Sequence, residues 1–65
     1  MQILVNGEHF TTDASSLDEL CRTLGFADAK IATAVNGSFV AATARARTRL
    51  ADADEIEIVA PRQGG

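Results

Sequence analysis

Several residue types are scarce in this chain: it has no Trp or Tyr, one Pro and one cysteine, Cys21. A single cysteine excludes an internal disulfide and a multi-cysteine metal site. Secreted domains of this size usually depend on such cross-links, and we therefore expect a cytoplasmic protein. Basic residues are also few. Six Lys and Arg against nine Asp and Glu give a net charge of −3, which argues against nucleic-acid binding and against an anionic membrane surface.

The length allows one small domain. With 65 residues, of which 46% are hydrophobic, the chain can fold but has little material for a deep, supported pocket. We therefore expect a binding module or a carrier rather than an enzyme.

Periodicity in the first half predicts a hairpin followed by a helix. Asn6-Gly7 is typical of a two-residue turn and joins a strand at 2–5 to one at 8–12. Ser16 followed by Glu19 is a capping box. A helical apolar stripe follows, ended by Gly25, and we expect Phe26 to fold back onto it; the stripe consists of Leu17, Leu20, Cys21 and Leu24.

The second half predicts three more strands. Ile31 to Val35, the turn Asn36-Gly37 and Phe39-Val40 read as a second hairpin, and residues 55–59 alternate polar and apolar. Residues 41–50 are compatible with a short helix or with irregular turns.

These elements predict an α+β fold, a roll of one mixed sheet of four to five strands with one main helix across it. We expect the first and last strands to be parallel neighbours in the middle of the sheet. The domain is predicted to span residues 1–61, with 62–65 as a flexible C-terminal tail.

The tail ends in two glycines, Gly64 and Gly65. One interpretation is a frayed end without function. The other is that the Gly65 carboxylate reacts inside a partner's active site, since glycine lets a backbone enter a narrow channel. Four residues beyond Pro61 reach at most about 13–14 Å, enough to leave the domain outside.

A reactive tail needs a docking surface, and the sheet face opposite the helix is the candidate. Small and apolar residues are predicted there, at Leu4, Ala32, Ala34, Glu57 and Val59, where a solvated face would be polar. Scattered apolar surface residues are also common, so this patch is a hypothesis.

Two charged clusters have ordinary and functional interpretations. The acidic residues Asp52, Asp54, Glu55 and Glu57 form either a solvated turn and strand face or a steering surface for a basic partner. Arg45, Arg47 and Arg49 are expected to balance this acidic run or to face water.

The remaining reactive side chains point to no enzyme chemistry. Cys21 lies on the apolar stripe and is expected to be a buried structural thiol. His9 has no nucleophile or carboxylate constellation around it, and the sequence contains no phosphate loop or metal-ligand spacing.

The order of elements and the Gly-Gly end resemble the ubiquitin-like, β-grasp sulfur carriers of the ThiS family, which serve thiamine biosynthesis. The resemblance spans the whole chain and rests on residues 1–7, on Leu17 and Leu20 of the helix, on residues 54–59 and on Gly64-Gly65.

The resemblance implies that the chain is a substrate rather than an enzyme. An E1-like adenylyltransferase similar to ThiF would use ATP and Mg to adenylate Gly65, and the chain itself would bind no cofactor and no metal. Sulfur from a donor such as a cysteine desulfurase persulfide would give a thiocarboxylate, to be consumed by a thiazole synthase similar to ThiG. Arg62, Gln63 and Gly64 would thread the tail; Leu4, Ala34, Glu57 and Val59 would dock the partner. We expect a monomer.

One position departs from the family pattern. The family usually has Gly-Asp before the last strand, where this chain has Ala53-Asp54. Because alanine disfavours positive φ, a different turn type is expected here.

Other functions remain open. The small subunit of molybdopterin synthase has the same fold and thiocarboxylate chemistry, although it is usually longer; carriers for cysteine synthesis or tRNA thiolation are chemically equivalent. A non-covalent ubiquitin-like adaptor, which never reacts at its end, is the alternative of a different class.

Overall fold

The order of elements in the structure, a computed structural model that describes residues 1–26 and 30–60, follows the predicted one. Five strands, one α-helix and one 3₁₀ helix follow one another within these residues. They are β1 (Gln2–Val5), β2 (Glu8–Thr11), α1 (Leu17–Thr23), β3 (Ala32–Val35), β4 (Ser38–Val40), the 3₁₀ helix (Ala42–Arg47) and β5 (Glu55–Val59).

The two Asn-Gly pairs form the turns that the sequence predicts. Asn6 and Asn36 have φ of 51° and 50°, and the glycine after each has φ of 84°. Positive φ at both central residues is the pattern of a type I′ turn, whose twist matches that of the flanking strands. β1 therefore pairs antiparallel with β2, and β3 with β4.

The strand order is β2-β1-β5-β3-β4, so the last strand of the chain lies at the centre of the sheet. β5 runs parallel to β1 and antiparallel to β3. The mixed sheet with parallel first and last strands confirms the predicted architecture.

Helix α1 begins and ends with the predicted caps. The Oγ of Ser16 accepts the Glu19 N–H at 3.2 Å, and the Glu19 carboxylate accepts the N–H of Ser15, one residue earlier than in the usual capping box. At the other end Gly25 and Phe26 donate to the carbonyls of Arg22 and Cys21, which is the Schellman arrangement.

One side of the sheet and the helix stripe form the core. Cys21 is 3% exposed, which confirms the predicted buried thiol. Burial raises the pKa of the Cys21 thiol, while the charge of Arg45 lowers it to a smaller extent. The buried hydrophobic residues are Ile3, Ala14, Leu17, Leu20, Cys21, Leu50, Ile56 and Ile58, with Phe26 packed against them.

The 3₁₀ helix corrects the expectation for the arginines. Arg45 neither faces water nor balances the acidic run; its Nη2 donates to the Ile31 carbonyl at 2.7 Å and its Nε to the Thr33 Oγ1 at 3.0 Å. These oxygens lie at the start of β3, so a guanidinium holds the 3₁₀ helix to the sheet. Arg47 is exposed, and its side chain donates to the Thr43 carbonyl within its own turn.

The turn before β5 also differs from the prediction, which was that Ala53 would impose a different turn type. The Asp54 N–H donates to the Ala51 carbonyl, and Ala53 has φ of 72°. Positive φ at the third residue alone is the pattern of a type II turn, which favours glycine at that position. Ala53 thus keeps the left-handed backbone despite its Cβ, because its N–H donates to the Gln2 carbonyl at 2.8 Å and the Asp52 carboxylate accepts the Gln2 N–H.

Within the described residues, no helix is both long and apolar enough to cross a membrane.

Candidate functional site

The face of the sheet opposite α1, called here the open face, carries the residues predicted for docking. Successive strand residues point to opposite sides, and Ile3, Thr33, Ile56 and Ile58 are the buried ones on their strands. Their neighbours therefore line the open face, which consists of Gln2, Leu4, His9, Thr11, Ala32, Ala34, Phe39, Glu55, Glu57 and Val59.

The register brings the predicted docking residues together across three strands. Ala34 lies opposite Glu57, and Ala32 lies opposite Val59. Leu4 lies beside Glu55 on the other side of β5. Val59 is 60% exposed, which is unusual for a β-branched apolar side chain at the centre of a sheet.

Phe39 belongs to the same surface and is absent from the predicted set. It lies opposite Ala34 on β4 and is 73% exposed. The sequence did contain the necessary information. A two-residue turn at Asn36-Gly37 pairs Val35 with Ser38, so Phe39 must share the face of Ala34.

These residues enclose a shallow groove of about 160 Å³. The alanines of β3 form its floor, and the larger side chains of β4 and β5 rise on either side. Its lining is Ala32, Thr33, Ala34, Phe39, Glu57 and Val59. A groove of this size accepts one apolar side chain from another protein rather than a cofactor.

The acidic cluster divides into two groups with different roles. Asp52 and Asp54 are turn residues, since the Asp52 carboxylate accepts the Gln2 N–H and the Asp54 carboxylate accepts the Ala51 N–H and the Asn36 side-chain amide. Glu55 and Glu57 are exposed on the open face. No Lys or Arg lies on the described strands of this face, so it presents carboxylates beside an apolar groove.

His9 is exposed on β2, opposite Leu4. Among residues 1–26 and 30–60, no three His, Cys, Asp or Glu side chains are grouped closely enough to hold a metal ion.

The end of β5 is held on both sides. Ala32 of β3 pairs with Val59, and the Asn6 side chain binds both backbone groups of Ile58 from the side of β1. The predicted tail residues Arg62, Gln63, Gly64 and Gly65 follow in the sequence and lie outside the described residues, as does Pro61 at the predicted domain boundary.

Comparison with known proteins decides the family. The model of the ThiS family matches residues 2–65, which is nearly the whole chain. The chain belongs to the ThiS family. No individually curated protein gave a significant match.

Two solved structures agree with this assignment. A crystal structure of the thiamine biosynthesis protein ThiS from Geobacter metallireducens is 33% identical, covers 100% of both chains and superposes with a TM-score of 0.80. A solution structure of a thiamine biosynthesis protein from the same organism is 28% identical and superposes with a TM-score of 0.81, covering 100% of this chain and 88% of the other. The likeness to these ThiS structures confirms the predicted β-grasp fold.

Proposed function

We propose that this chain is a sulfur carrier of thiamine biosynthesis and that the carboxylate of Gly65 carries the sulfur. The observation that supports this most directly is the ThiS family match, which extends through Gly64 and Gly65. The match also favours the thiazole pathway over the molybdopterin alternative.

In the proposed reaction the chain is the substrate. A ThiF-like adenylyltransferase, with its own ATP and Mg, joins the Gly65 carboxylate to AMP and releases pyrophosphate. A persulfide sulfur then attacks the activated carbonyl and AMP leaves. A thiol reductant then attacks the donor's sulfur in the resulting acyl disulfide and forms a new disulfide with the donor, so that Gly65 is released as a thiocarboxylate. A ThiG-like synthase transfers the sulfur of this thiocarboxylate to the thiazole. The sulfur donor in this scheme is a cysteine desulfurase persulfide.

The residue types of the tail suit this role. Gly64 and Gly65 have no Cβ, so the carbonyl carbon is unhindered and the chain can enter a narrow channel. Arg62 and Gln63 supply hydrogen-bond donors and acceptors along that channel.

The open face is the proposed docking surface for the adenylyltransferase. Leu4, Ala34, Glu57 and Val59 contribute as predicted, and Phe39 is added to them because it is the most exposed large apolar side chain on this face. A partner that fits this surface inserts an apolar side chain between Phe39 and Val59 and places a Lys or Arg opposite Glu57.

Deletion of Gly65 tests the reactive end. Loss of ATP–pyrophosphate exchange with the ThiF-like enzyme, together with unchanged binding to it, is the expected result, since the domain still docks but offers no correctly placed carboxylate. An adaptor would retain its partner affinity and its cellular activity after the deletion, and that outcome would contradict the proposal.

Phe39→Ala tests the docking surface. It should weaken binding to the adenylyltransferase about tenfold or more, as removal of a central aromatic anchor does. The melting temperature should barely change, because the side chain is 73% exposed in the free protein. Arg22→Ala is the matched control, since it truncates a long exposed side chain on the helix side; equal effects of the two variants would refute the assignment.

A further inference from the structure

Two asparagines in equivalent turns bind the same strand at opposite ends. Asn6 and Asn36 each precede a glycine, and their φ values differ by a degree. Each is the residue at which a strand beside β5 turns away into a hairpin. The side-chain amide of each reaches back to the backbone of β5.

The Asn6 amide takes the place of a missing peptide group. The Asn6 N–H donates to the Ile56 carbonyl at 2.8 Å, as the parallel ladder requires. The next bond of the ladder would run from the Ile58 N–H to the Asn6 carbonyl, which the turn has carried away. Instead the Asn6 Oδ1 accepts the Ile58 N–H at 2.9 Å, and its Nδ2 donates to the Ile58 carbonyl at 3.1 Å.

Asn36 does the same at the beginning of β5. Its backbone N–H donates to the Glu55 carbonyl at 2.7 Å, and its Oδ1 accepts the Glu55 N–H at 2.9 Å. Its Nδ2 donates to the Asp54 carboxylate at 3.0 Å. The two side chains are therefore chemically alike but act at the two ends of one strand.

The end served by Asn6 is the one that leads to the reactive tail. The register of β1 with β5 ends at Val5 and Ile56, so no residue of β1 pairs with β5 beyond that point. On this side the bonds to Ile58 come from the Asn6 amide, while β3 holds the opposite side. At this end of β5, therefore, the side that faces β1 is bonded through Asn6 and not through Asn36.

We propose that Asn6 is a positioning residue for the C-terminal tail, which it directs by fixing the last residues of β5. This rests on the proposed function, because the direction of the tail matters only if Gly65 reacts. Asn6 does not line the groove of the open face; it acts through Ile58.

The test compares Asn6→Gly with Asn36→Gly. Glycine adopts the same positive φ, so both variants keep the turn and lose only the amide. Hydrogen exchange of the Ile58 amide, measured against the Leu20 amide of α1, should accelerate about five- to tenfold in Asn6→Gly, as loss of one hydrogen bond implies, and not in Asn36→Gly. Asn6→Asp, which keeps an acceptor but loses the donor, should give an intermediate rate.

Steady-state adenylation by the ThiF-like enzyme then distinguishes an effect on the position of the C-terminal tail from an effect on the stability of the domain. In Asn6→Gly, kcat should fall about fivefold or more while KM changes less than about twofold, since docking persists but the end is presented less often in the reactive position. Asn36→Gly should leave both within about twofold of the wild type.

Each remaining outcome has a distinct meaning. Equal kcat values in the two glycine variants would overturn the positioning role, as would a change in KM with kcat intact. If the wild type itself is never adenylated, the proposed function fails, whereas the exchange result for Ile58 stands independently.

Discussion

Ala53 has a backbone conformation that its side chain opposes, so replacing it with glycine should stabilise the protein. The left-handed region costs an alanine about 1–2 kcal/mol, and glycine removes this cost. The gain is offset by about 0.4–1 kcal/mol, because glycine also makes the unfolded chain more flexible. The turn hydrogen bonds are made by backbone atoms and by Asp52 and Asp54, so Ala53→Gly leaves them intact.

The net gain is about 0.5–1 kcal/mol, which raises the melting temperature of a domain of this size by about 3–6 °C. Ala51→Gly is the matched control. Ala51 is exposed in the same turn and does not have positive φ, so that variant should lower stability by about 0.4–1 kcal/mol. Thermal and urea unfolding measure both. The explanation is refuted if the two substitutions shift stability in the same direction.

Three further predictions concern the rest of the domain. Arg45→Met should lower the free energy of unfolding by about 1.5–3 kcal/mol, because two acceptors in the β3 segment lose a charged donor. Arg47→Met should change the free energy of unfolding by less than about 0.5 kcal/mol. Urea denaturation of both variants measures the difference, and equal losses would contradict the role given to Arg45. Ser16→Ala should lower the free energy of unfolding by about 1 kcal/mol through loss of the helix cap, and an unchanged melting temperature would contradict this. Because the pKa of Cys21 is raised in the folded state, the folded protein holds the thiol proton to higher pH than the unfolded chain does, and the free energy of unfolding should fall as the pH rises above the ordinary thiol pKa of 9.0. Cys21→Ala should lack that fall. Identical profiles of stability against pH for the two proteins would be inconsistent with a buried thiol.

The sheet could be predicted because its determinants are local. The Asn-Gly pairs fix two hairpin registers, and the alternation at 55–59 assigns Ile56 and Ile58 to the core. The position of Phe39 on the open face could have been predicted from the register of the second hairpin. The open face therefore follows from the sequence once the strand pairings are known.

Other features depend on contacts between distant segments. The acceptors of Arg45 lie more than ten residues away, so its spacing from Arg47 and Arg49 says nothing about its burial. Ala53 keeps positive φ because β1 is bonded to its turn, an effect that outweighs the local preference of alanine. The Asn6 amide meets Ile58 only after the two ends of the chain pair.

Intact mass spectrometry can show whether Gly65 carries sulfur. The protein is incubated with a ThiF-like enzyme, ATP and a persulfide donor, and the product is fragmented to locate the change. We predict a mass gain equal to the replacement of one oxygen by sulfur, confined to Gly65 and consumed when a ThiG-like synthase and its substrates are added. An unchanged mass, with an adenylyltransferase shown to be active on another carrier of the family, would mean that Gly65 does not carry sulfur.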